Sequence, residues 1–218
     1  IVSECLNCRP DEVYFTGSGT EANNIALIGY YYNLKKNNLP YTVITSNIEH
    51  PSVLRCCDFL ESLGIDVKKI EVNSKGVVSP ELLRENINDK ISIISIMYAN
   101  NEIGSIMPVK ELCEIAKEKN IPLIPLKRGI YFHTDAVQAI GKIKVDFKDL
   151  GVDMLSLSAH KFHGSKGIGA LIIKKGININ PIIFGGSQEH GLRPGTENIA
   201  GIVGLAEALK IAVKNLEK

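Results

Sequence analysis

The sequence predicts an α/β fold, a three-layer αβα sandwich built on a mostly parallel sheet. Strand-like and helix-like segments alternate along the 218 residues, and Pro51, Pro80 and Pro108 each stand near a predicted helix start, where a missing N–H costs nothing. Strands that alternate with helices imply right-handed βαβ units. The length is sufficient for one domain with a substantial core.

The predicted elements follow one another in regular order. Strand-like runs lie at residues 12–16, 41–45, 67–72, 91–97, 130–134, 154–158 and 170–173. Helical patterns lie at residues 20–35, 52–63, 80–87 and 109–119. Sheets of this kind bind ligands at the carboxyl ends of their strands, so the polar residues that follow each strand are the candidates for function.

Composition narrows the class of protein. Hydrophobic residues make up 44% of the chain and charged residues 22%, values ordinary for a globular protein. A net charge of +1 gives no electrostatic basis for binding nucleic acid or an acidic membrane surface. No apolar run approaches the roughly 20 residues that span a bilayer. We therefore predict no nucleic-acid or membrane partner, and a cytoplasmic location, with a mitochondrial one as the alternative.

The five cysteines predict neither disulfides nor a metal site. Their number is odd, which disfavours a disulfide framework. Cys5 and Cys8 have metal-like spacing but no second pair accompanies them. We expect all five to be buried or half-buried thiols, and we expect no metal.

The first candidate motif follows the first strand, where Thr16-Gly17-Ser18-Gly19-Thr20 leads into a helix. Glycines let the backbone approach a ligand, and the helix N-terminus offers N–H groups to an anion. The segment therefore resembles a phosphate cradle, although a well-capped helix after a glycine turn explains it equally well. It matches neither a dinucleotide fingerprint nor a Walker loop.

Two further strand exits carry polar residues. His50 comes after the second strand, where an imidazole can stack on an aromatic ring, move protons or simply cap the next helix. Asn100 and Asn101 follow the strand at 91–97. Buried amides need hydrogen-bond partners, so these two bind either a ligand or their own turn.

An acid and a lysine end the fifth and sixth strands. Asp135 needs a cationic partner, which is either a protonated pyridine nitrogen or a nearby lysine or arginine. Lys161 lies in Ser158-Ala159-His160-Lys161, between two apolar runs. A partly desolvated lysine can lose its proton and form a Schiff base with a carbonyl, whereas most lysines are solvated surface residues.

A polar, glycine-rich loop covers residues 184–198. Loops of this length are either functional or disordered. The strongly patterned helix that follows favours an ordered loop.

Taken together, these motifs resemble the large domain of the class-V aminotransferase group of fold-type-I pyridoxal phosphate enzymes, and within it the cysteine desulfurases and selenocysteine lyases. The resemblance implies that Lys161 carries pyridoxal 5'-phosphate and is catalytic, and that Asp135 binds its ring nitrogen. It implies that His50 stacks on the ring and moves protons, and that Asn101 and Gln138 lie near the phenolic oxygen. The phosphate ligands it implies are Gly19, Thr20, Ser158 and His160, with Thr196 reaching the phosphate of a neighbouring subunit in a homodimer.

The implied activity is carbon–selenium or carbon–sulfur lysis, which converts L-selenocysteine or L-cysteine to L-alanine and releases selenium or sulfur or transfers it to an acceptor protein. The segment 120–129 and nearby runs favour the selenocysteine lyases over the cysteine desulfurases. An aminotransferase, a kynureninase-like hydrolase and a non-catalytic scaffold are the alternatives. In the family, the nucleophilic cysteine and the substrate-binding arginine lie beyond residue 218. We therefore expect residues 1–218 to be a pyridoxal phosphate-binding large domain that lacks an N-terminal segment and a C-terminal small domain, and to be inactive alone.

Overall fold

A seven-stranded sheet lies between two layers of helices in the computed structural model, which describes residues 1–118 and 129–216. Its order is β1-β7-β6-β5-β4-β2-β3. Strands β2 to β6 are parallel, and β7 is antiparallel to both β1 and β6. The predicted fold class is confirmed. The strands are β1 (Val13–Thr16), β2 (Thr42–Ser46), β3 (Asp66–Ile70), β4 (Ile93–Ser95), β5 (Tyr131–Asp135), β6 (Met154–Ser158) and β7 (Gly169–Ile173).

Helices cover both faces of the sheet. They are α1 (Val2–Leu6), α2 (Gly19–Asn24), α3 (Tyr30–Lys36), α4 (Pro51–Ser62), α5 (Pro80–Asn86), α6 (Val109–Glu118), α7 (Phe147–Leu150) and α8 (Ile199–Leu216). A π-helix, Ile25–Gly29, joins α2 to α3, so the predicted helix 20–35 is one continuous helical segment with a widened centre. In this widened region the Gly29 carbonyl accepts a hydrogen bond from Asn180 N–H at 3.1 Å. Short 3₁₀ turns occur at Pro10–Glu12, Ala159–Phe162 and Gln188–Gly191.

The core has two parts because adjacent strand residues point to opposite faces. On β4, Ile94 belongs to the cluster with α5, α6 and α8, while Ile93 belongs to the cluster with the helix Gly19–Lys36 and α4. On β6, Leu155 and Met154 divide in the same way. This two-sided burial explains why the strands appear in the sequence as continuous apolar runs.

Strand ends lie within two residues of the sequence prediction, and β6 matches it at both ends. The largest difference is at β4, predicted at 91–97 and observed at Ile93–Ser95. The residues just beyond β4 still bond to β5, since Ile96 N–H donates to His133 O at 3.1 Å and Tyr98 N–H donates to Asp135 O at 2.9 Å. Residue 119, the predicted end of α6, and most of the segment 120–129 lie outside the described residues.

The carboxyl ends of β1, β2, β4, β5 and β6 meet at one edge of the sheet. Antiparallel β7 begins at this same edge, where Gly169 pairs with Thr16 and with Ser158. The polar motifs after the strands are therefore brought together here. Within residues 1–118 and 129–216, no helix is long and apolar enough to cross a bilayer.

Candidate functional site

A cavity of about 290 Å³ opens at the carboxyl edge of the sheet. Most of the residues singled out from the sequence line it, although they are spread over more than 140 positions of the chain. These residues are Gly19, Thr20, His50, Asn101, Asp135, Gln138, Ser158, His160 and Lys161. Thr196 is exposed and does not line the cavity. Its implied role toward a neighbouring subunit stays a prediction.

The turn between β1 and α2 is both a helix cap and a lining of the cavity. The Ser18 side chain accepts a hydrogen bond from Glu21 N–H at 3.1 Å, and the Glu21 carboxylate accepts one from Gly17 N–H at 2.8 Å. Helix starts leave their first N–H groups without intrahelical partners. The two interpretations of this motif are therefore compatible, because the capped helix presents its N-terminus to the cavity.

Two glycines allow this turn to lie against the ends of β6 and β7. A Cβ at Gly19 would stand 2.7 Å from Val137 Cγ2 and 3.3 Å from Ser158 Cβ. A Cβ at Gly169 would stand 2.7 Å from the Ser18 carbonyl carbon. Side chains at either position would push the turn away from the sheet. Close packing thus places the helix N-terminus beside the Ser158 hydroxyl.

His160 completes this polar corner. Its Nδ1 lies 3.0 Å from the Ser158 hydroxyl oxygen. Partial desolvation and then the positive charges of Lys161 and Lys166 lower the pKa of His160. Hydroxyl groups, an imidazole and a helix N-terminus together suit a phosphate group.

Asp135 lies at the bottom of the cavity and is 4% exposed. Its Oδ1 accepts a hydrogen bond from Val137 N–H at 2.9 Å, and its Oδ2 accepts one from Asn23 Nδ2 at 2.7 Å. Burial raises the pKa of this carboxyl group, while the two hydrogen bonds oppose that rise. Across residues 1–118 and 129–216, no lysine or arginine forms a salt bridge with it. The alternative of a nearby basic partner is therefore not realised among these residues.

His50 lines the cavity and also caps α4. Its Nδ1 accepts a hydrogen bond from Ser52 N–H at 3.1 Å and lies 2.7 Å from the Ser52 hydroxyl oxygen. The helix-cap interpretation of the sequence is thus correct, and the ring remains half-buried at the edge of the cavity.

The two adjacent amides have different partners. Asn100 belongs to its own turn: its Oδ1 accepts hydrogen bonds from Glu102 N–H at 2.8 Å and Ile103 N–H at 2.9 Å, and its Nδ2 donates to Ile48 O at 2.9 Å. Asn101 is exposed and lines the cavity. The sequence left the ligand and the turn open as partners, and the structure shows Asn100 bonded within the turn.

Gln138 is oriented by a lysine that the sequence analysis did not identify. Lys142 Nζ donates to Gln138 Oε1 at 3.1 Å and lies 3.4 Å from the Lys161 carbonyl oxygen. This contact directs the Gln138 oxygen towards Lys142, and the amide nitrogen is a donor that a ligand can use.

Lys161 has an exposed side chain. It lies in the 3₁₀ turn Ala159–Phe162 immediately after β6, and this turn places it at the mouth of the cavity. The sequence left a partly desolvated lysine and a solvated surface lysine as alternatives, and Lys161 is exposed among the described residues. Lys161 nevertheless lines the same cavity as Asp135.

Five further residues line the cavity, of which the sequence motifs include Ser18 without a role of its own: Ser18, Asn23, Ser52, Met97 and Val137. Asn23 lies three positions after Thr20, on the same side of the helix, and this spacing was a usable signal. Ser52 lies two residues after His50, at a helix start where serine often caps.

The five cysteines are free and buried or half-buried, as predicted. Burial raises the pKa of all five thiols, to about 12 for Cys8, Cys56 and Cys57 and to about 11 for Cys113. All five belong to the described part of the chain, and none of them lines the cavity. None is therefore a preformed thiolate at the site.

The lining fits pyridoxal phosphate by three features of its own. The buried carboxylate of Asp135 lacks a basic partner among the described residues and can pair with a pyridinium nitrogen. Asn23 Oδ1 is buried and accepts no hydrogen bond from the described residues. The N-terminus of α2 and the hydroxyl residues Thr20 and Ser158 line the cavity and can donate hydrogen bonds to a phosphate.

Comparisons with known proteins agree with this fit. The family profile described as Aminotransferase class-V matches residues 1–218. Cysteine desulfurase IscS of Clostridium botulinum (strain Hall) is 49% identical over 216 residues, which are 99% of this chain and 51% of the relative. The IscS of Methanosarcina thermophila is 48% identical over 217 residues, 99% of this chain and 51% of the relative. The chain thus spans about half the length of these curated relatives.

Solved structures show the same relationship. A NifS-like protein superimposes with a TM-score of 0.92 at 44% identity, covering 99% of this chain and 57% of that one. SspA in complex with cysteine superimposes with a TM-score of 0.87 at 38% identity, covering 96% of this chain and 58% of that one. The chain belongs to the class-V aminotransferase family, whose members use pyridoxal phosphate.

Proposed function

We propose that this chain forms the cofactor-binding part of a pyridoxal phosphate-dependent cysteine desulfurase, which converts L-cysteine to L-alanine and transfers the sulfur to a thiol. The observation that carries the proposal is the buried carboxylate of Asp135, without a basic partner among the described residues, in the same cavity as Lys161. Relatives at 48–49% identity that carry the name cysteine desulfurase support the choice of reaction.

Four groups of residues would hold the cofactor. Asp135 would pair with the ring nitrogen, and His50 would lie on a face of the ring. Asn101 and the free amide nitrogen of Gln138 would bind the phenolic oxygen. The phosphate would lie against the helix N-terminus, with its ligands drawn from Gly19, Thr20, Ser158 and His160.

When bound, the cofactor supplies an aldehyde that condenses with amines and a ring that withdraws electrons from the α-carbon of the substrate. Lys161 is the amine that would hold this aldehyde, and its free side-chain amine would take the α-proton of the substrate. An exposed Lys161 at the mouth of the cavity is accessible to an entering amino acid. Asp135 would keep a proton on the ring nitrogen, and His50 would move a proton at the edge of the cavity.

The sulfur leaves by attack of a thiolate. The acceptor thiolate would attack the substrate sulfur and form a sulfur–sulfur bond, while the electron pair of the breaking Cβ–Sγ bond passes to Cβ, which takes up a proton. Return of the α-proton from Lys161 to the α-carbon would then complete alanine. The raised pKa values of the five thiols, and their absence from the cavity lining, disfavour each of them as the acceptor. We expect the thiolate to come from residues outside this sequence or from a partner protein.

The remaining assignments are also proposals. An exposed Thr196 outside the cavity is compatible with a role at the phosphate of a second subunit, and hence with a homodimer. The preference for selenium stays a prediction, since the relatives described above are named for cysteine. The cytoplasmic location stays a prediction as well.

The test uses the full-length protein that contains this chain, loaded with pyridoxal phosphate. Borohydride reduction followed by peptide mapping should place the pyridoxyl group on Lys161. L-Cysteine should yield alanine without a keto acid, and persulfide should appear on a thiol. A parallel assay with L-selenocysteine measures the selenium preference. Absence of alanine, or a requirement for a keto acid, would contradict the proposal and favour a scaffold or an aminotransferase respectively.

A further inference from the structure

We propose that Asn23 is a positioning residue that holds the carboxylate of Asp135 in its ionised form and, through Ser52, fixes the ring of His50. The inference deepens the proposed function and rests on it for the roles of Asp135 and His50. Along the chain, Asn23 is 112 positions from Asp135 and 29 positions from Ser52.

Asn23 stands at the centre of a buried hydrogen-bond network. It is fully buried on α2. Its Nδ2 donates to Asp135 Oδ2 at 2.7 Å and to the Ser52 hydroxyl oxygen at 2.8 Å. One amide nitrogen thus bridges Asp135 at the end of β5 and Ser52 in the first turn of α4, and both of these residues line the cavity.

The orientation of the Asn23 amide depends on the charge of Asp135. If the amide were reversed, its oxygen would stand 2.7 Å from a carboxylate oxygen, an arrangement that is repulsive while Asp135 is ionised. The orientation observed leaves Asn23 Oδ1 buried and without a partner among the described residues. Because an unsatisfied buried acceptor is unfavourable, the bond to Asp135 must outweigh it.

Ser52 extends the network to His50. Its hydroxyl oxygen accepts from Asn23, so its own hydrogen is available to His50 Nδ1 at 2.7 Å. The Ser52 backbone N–H also donates to this nitrogen, at 3.1 Å. An Nδ1 that accepts hydrogen bonds leaves the ring proton on Nε2, which fixes both the tautomer and the rotation of the ring.

A neutral donor is suited to this position for an electrostatic reason. A lysine or arginine beside Asp135 would also keep the carboxylate ionised, but its positive charge would oppose a pyridinium ring in the cavity. The Asn23 amide supports the carboxylate and leaves its negative charge available to a cationic ligand.

Other titratable groups surround Asp135 and must be considered in any titration. Glu49 and His50 come from the loop before α4, His160 and Lys161 from the turn after β6, and His133 from β5 itself. None of them forms a hydrogen bond to the Asp135 carboxylate among the described residues. Asn23 is therefore the side chain whose removal should change Asp135 most.

The experiment compares Asn23→Leu with Asn33→Leu in the full-length protein without cofactor. Asn33 is a matched control because it is also buried on the same helical segment, where its Nδ2 donates to Asn178 O, and it does not line the cavity. Selective ¹³C labelling of aspartate follows the carboxyl titration of Asp135, whose signal is identified by its loss in Asp135→Asn. We expect the titration midpoint to move to higher pH in Asn23→Leu and to stay unchanged in Asn33→Leu.

Affinity for pyridoxal phosphate provides the second readout. Loss of a hydrogen bond to a charged group should raise its Kd about tenfold in Asn23→Leu, with no such change in Asn33→Leu. An unchanged Asp135 midpoint in a folded Asn23→Leu protein would overturn the inference. If that variant does not fold, the test uses the NMR signal of the Asn23 side-chain amide in the wild type. This signal must shift with pH at the same midpoint as Asp135, and a signal that does not follow the Asp135 titration would overturn the inference.

Failure of the proposed function can be distinguished from failure of this inference. The titration requires neither substrate nor turnover. If the wild type makes no alanine but the Asp135 midpoint shifts in Asn23→Leu, the role of Asn23 stands and the desulfurase assignment fails. If the wild type makes alanine but the midpoint does not shift in Asn23→Leu, the desulfurase assignment stands and the role of Asn23 fails.

Discussion

The floor and the rim of the cavity differ in burial and in the way their side chains are held. The floor consists of Asn23, Ser52, Asp135 and Ser158, which are all buried and hydrogen-bonded to one another or to nearby polar groups. The rim consists of Thr20, Asn101, His160 and Lys161, which are exposed. The floor is therefore held by hydrogen bonds between buried residues, whereas the rim lies on the first turn of α2 and on short turns after the strands. Substitutions in the buried layer should change stability and ionisation, and substitutions at the rim should change activity alone.

Replacement of the rim lysine tests the comparison most strongly. Lys161→Ala should lower alanine formation from L-cysteine by about 10⁴-fold, since both the covalent link and the proton acceptor are lost. The free energy of unfolding should change by less than about 0.5 kcal/mol, because the side chain is exposed. Assays of alanine and urea unfolding measure the two effects.

Lys166→Ala serves as the matched control, since this exposed lysine lies five residues away and does not line the cavity. It should keep both activity and stability. Activity retained in Lys161→Ala would remove the lysine from the reaction.

Stability at acid pH tests a buried histidine on β5, the strand that carries Asp135. His133 is fully buried between Ser95 and Ser156 at 2.8 and 2.9 Å, and burial lowers its pKa to about 3. As pH falls, the imidazole of His133 takes up a proton near pH 6.5 in the unfolded chain but only near pH 3 in the folded chain. Stability from this group is therefore present above pH 6.5 and is lost as pH falls towards 3, by about 3 kcal/mol at pH 4.

The variant His133→Gln should lack this acid-induced loss, even though it is less stable near neutral pH. His163→Asn, at an exposed turn position with positive φ that asparagine tolerates, should keep the wild-type pH dependence. Urea unfolding from pH 7 to pH 4 makes the comparison. Identical slopes in His133→Gln and wild type would contradict the burial argument.

Alkaline stability should show the opposite sign because of Glu49. This buried side chain accepts hydrogen bonds from Met97 N–H at 3.0 Å and from the Ser46 hydroxyl at 2.5 Å, and burial raises its pKa to about 8. The folded chain keeps a proton that the unfolded chain loses near pH 4.5. Wild-type stability from this group therefore falls by about 2 kcal/mol between pH 6 and pH 8.

Glu49→Gln should remove that decline, since an amide can still accept from Met97 and does not titrate. Glu85→Gln, at an exposed position of α5, should leave the decline intact. The measurement is urea unfolding at pH 6, 7 and 8. A decline that persists in Glu49→Gln would assign it to another group.

The smallest expected effect concerns an ion pair whose burial is intermediate between that of the floor and that of the rim. Arg193 donates to the Glu21 carboxylate at 2.7 Å and ties the loop 184–198 to the first turn of α2. Arg193→Gln should lower the free energy of unfolding by about 1–2 kcal/mol, because Glu21 keeps only its bond from Gly17. Arg84→Gln breaks an exposed pair with Glu118 and should change it by less than about 1 kcal/mol. Equal losses in the two variants would show that burial of the Arg193 pair has no energetic consequence.

Local sequence patterns were sufficient for the architecture, and together with the family resemblance they predicted most of the lining. The carboxyl-end rule alone predicts that His50, Asp135 and Lys161 lie at one edge, because parallel strands fix where their exits meet. The same patterns could not show that Asn23 bonds to Asp135, since an asparagine within a helix usually faces solvent and the bond joins residues 112 positions apart. They also could not show that the turn after β6 exposes Lys161, or that Glu49 is buried under the site. Those properties follow from packing between distant segments.

The pairing of Asp135 with a pyridine nitrogen is the central claim, and ¹⁵N-labelled pyridoxal phosphate bound to the full-length protein tests it directly. We predict a ring-nitrogen signal typical of pyridinium in the wild type at neutral pH, and its replacement by an unprotonated signal in Asp135→Asn. The same protonated signal in both proteins, or an unprotonated signal in the wild type, would contradict the account.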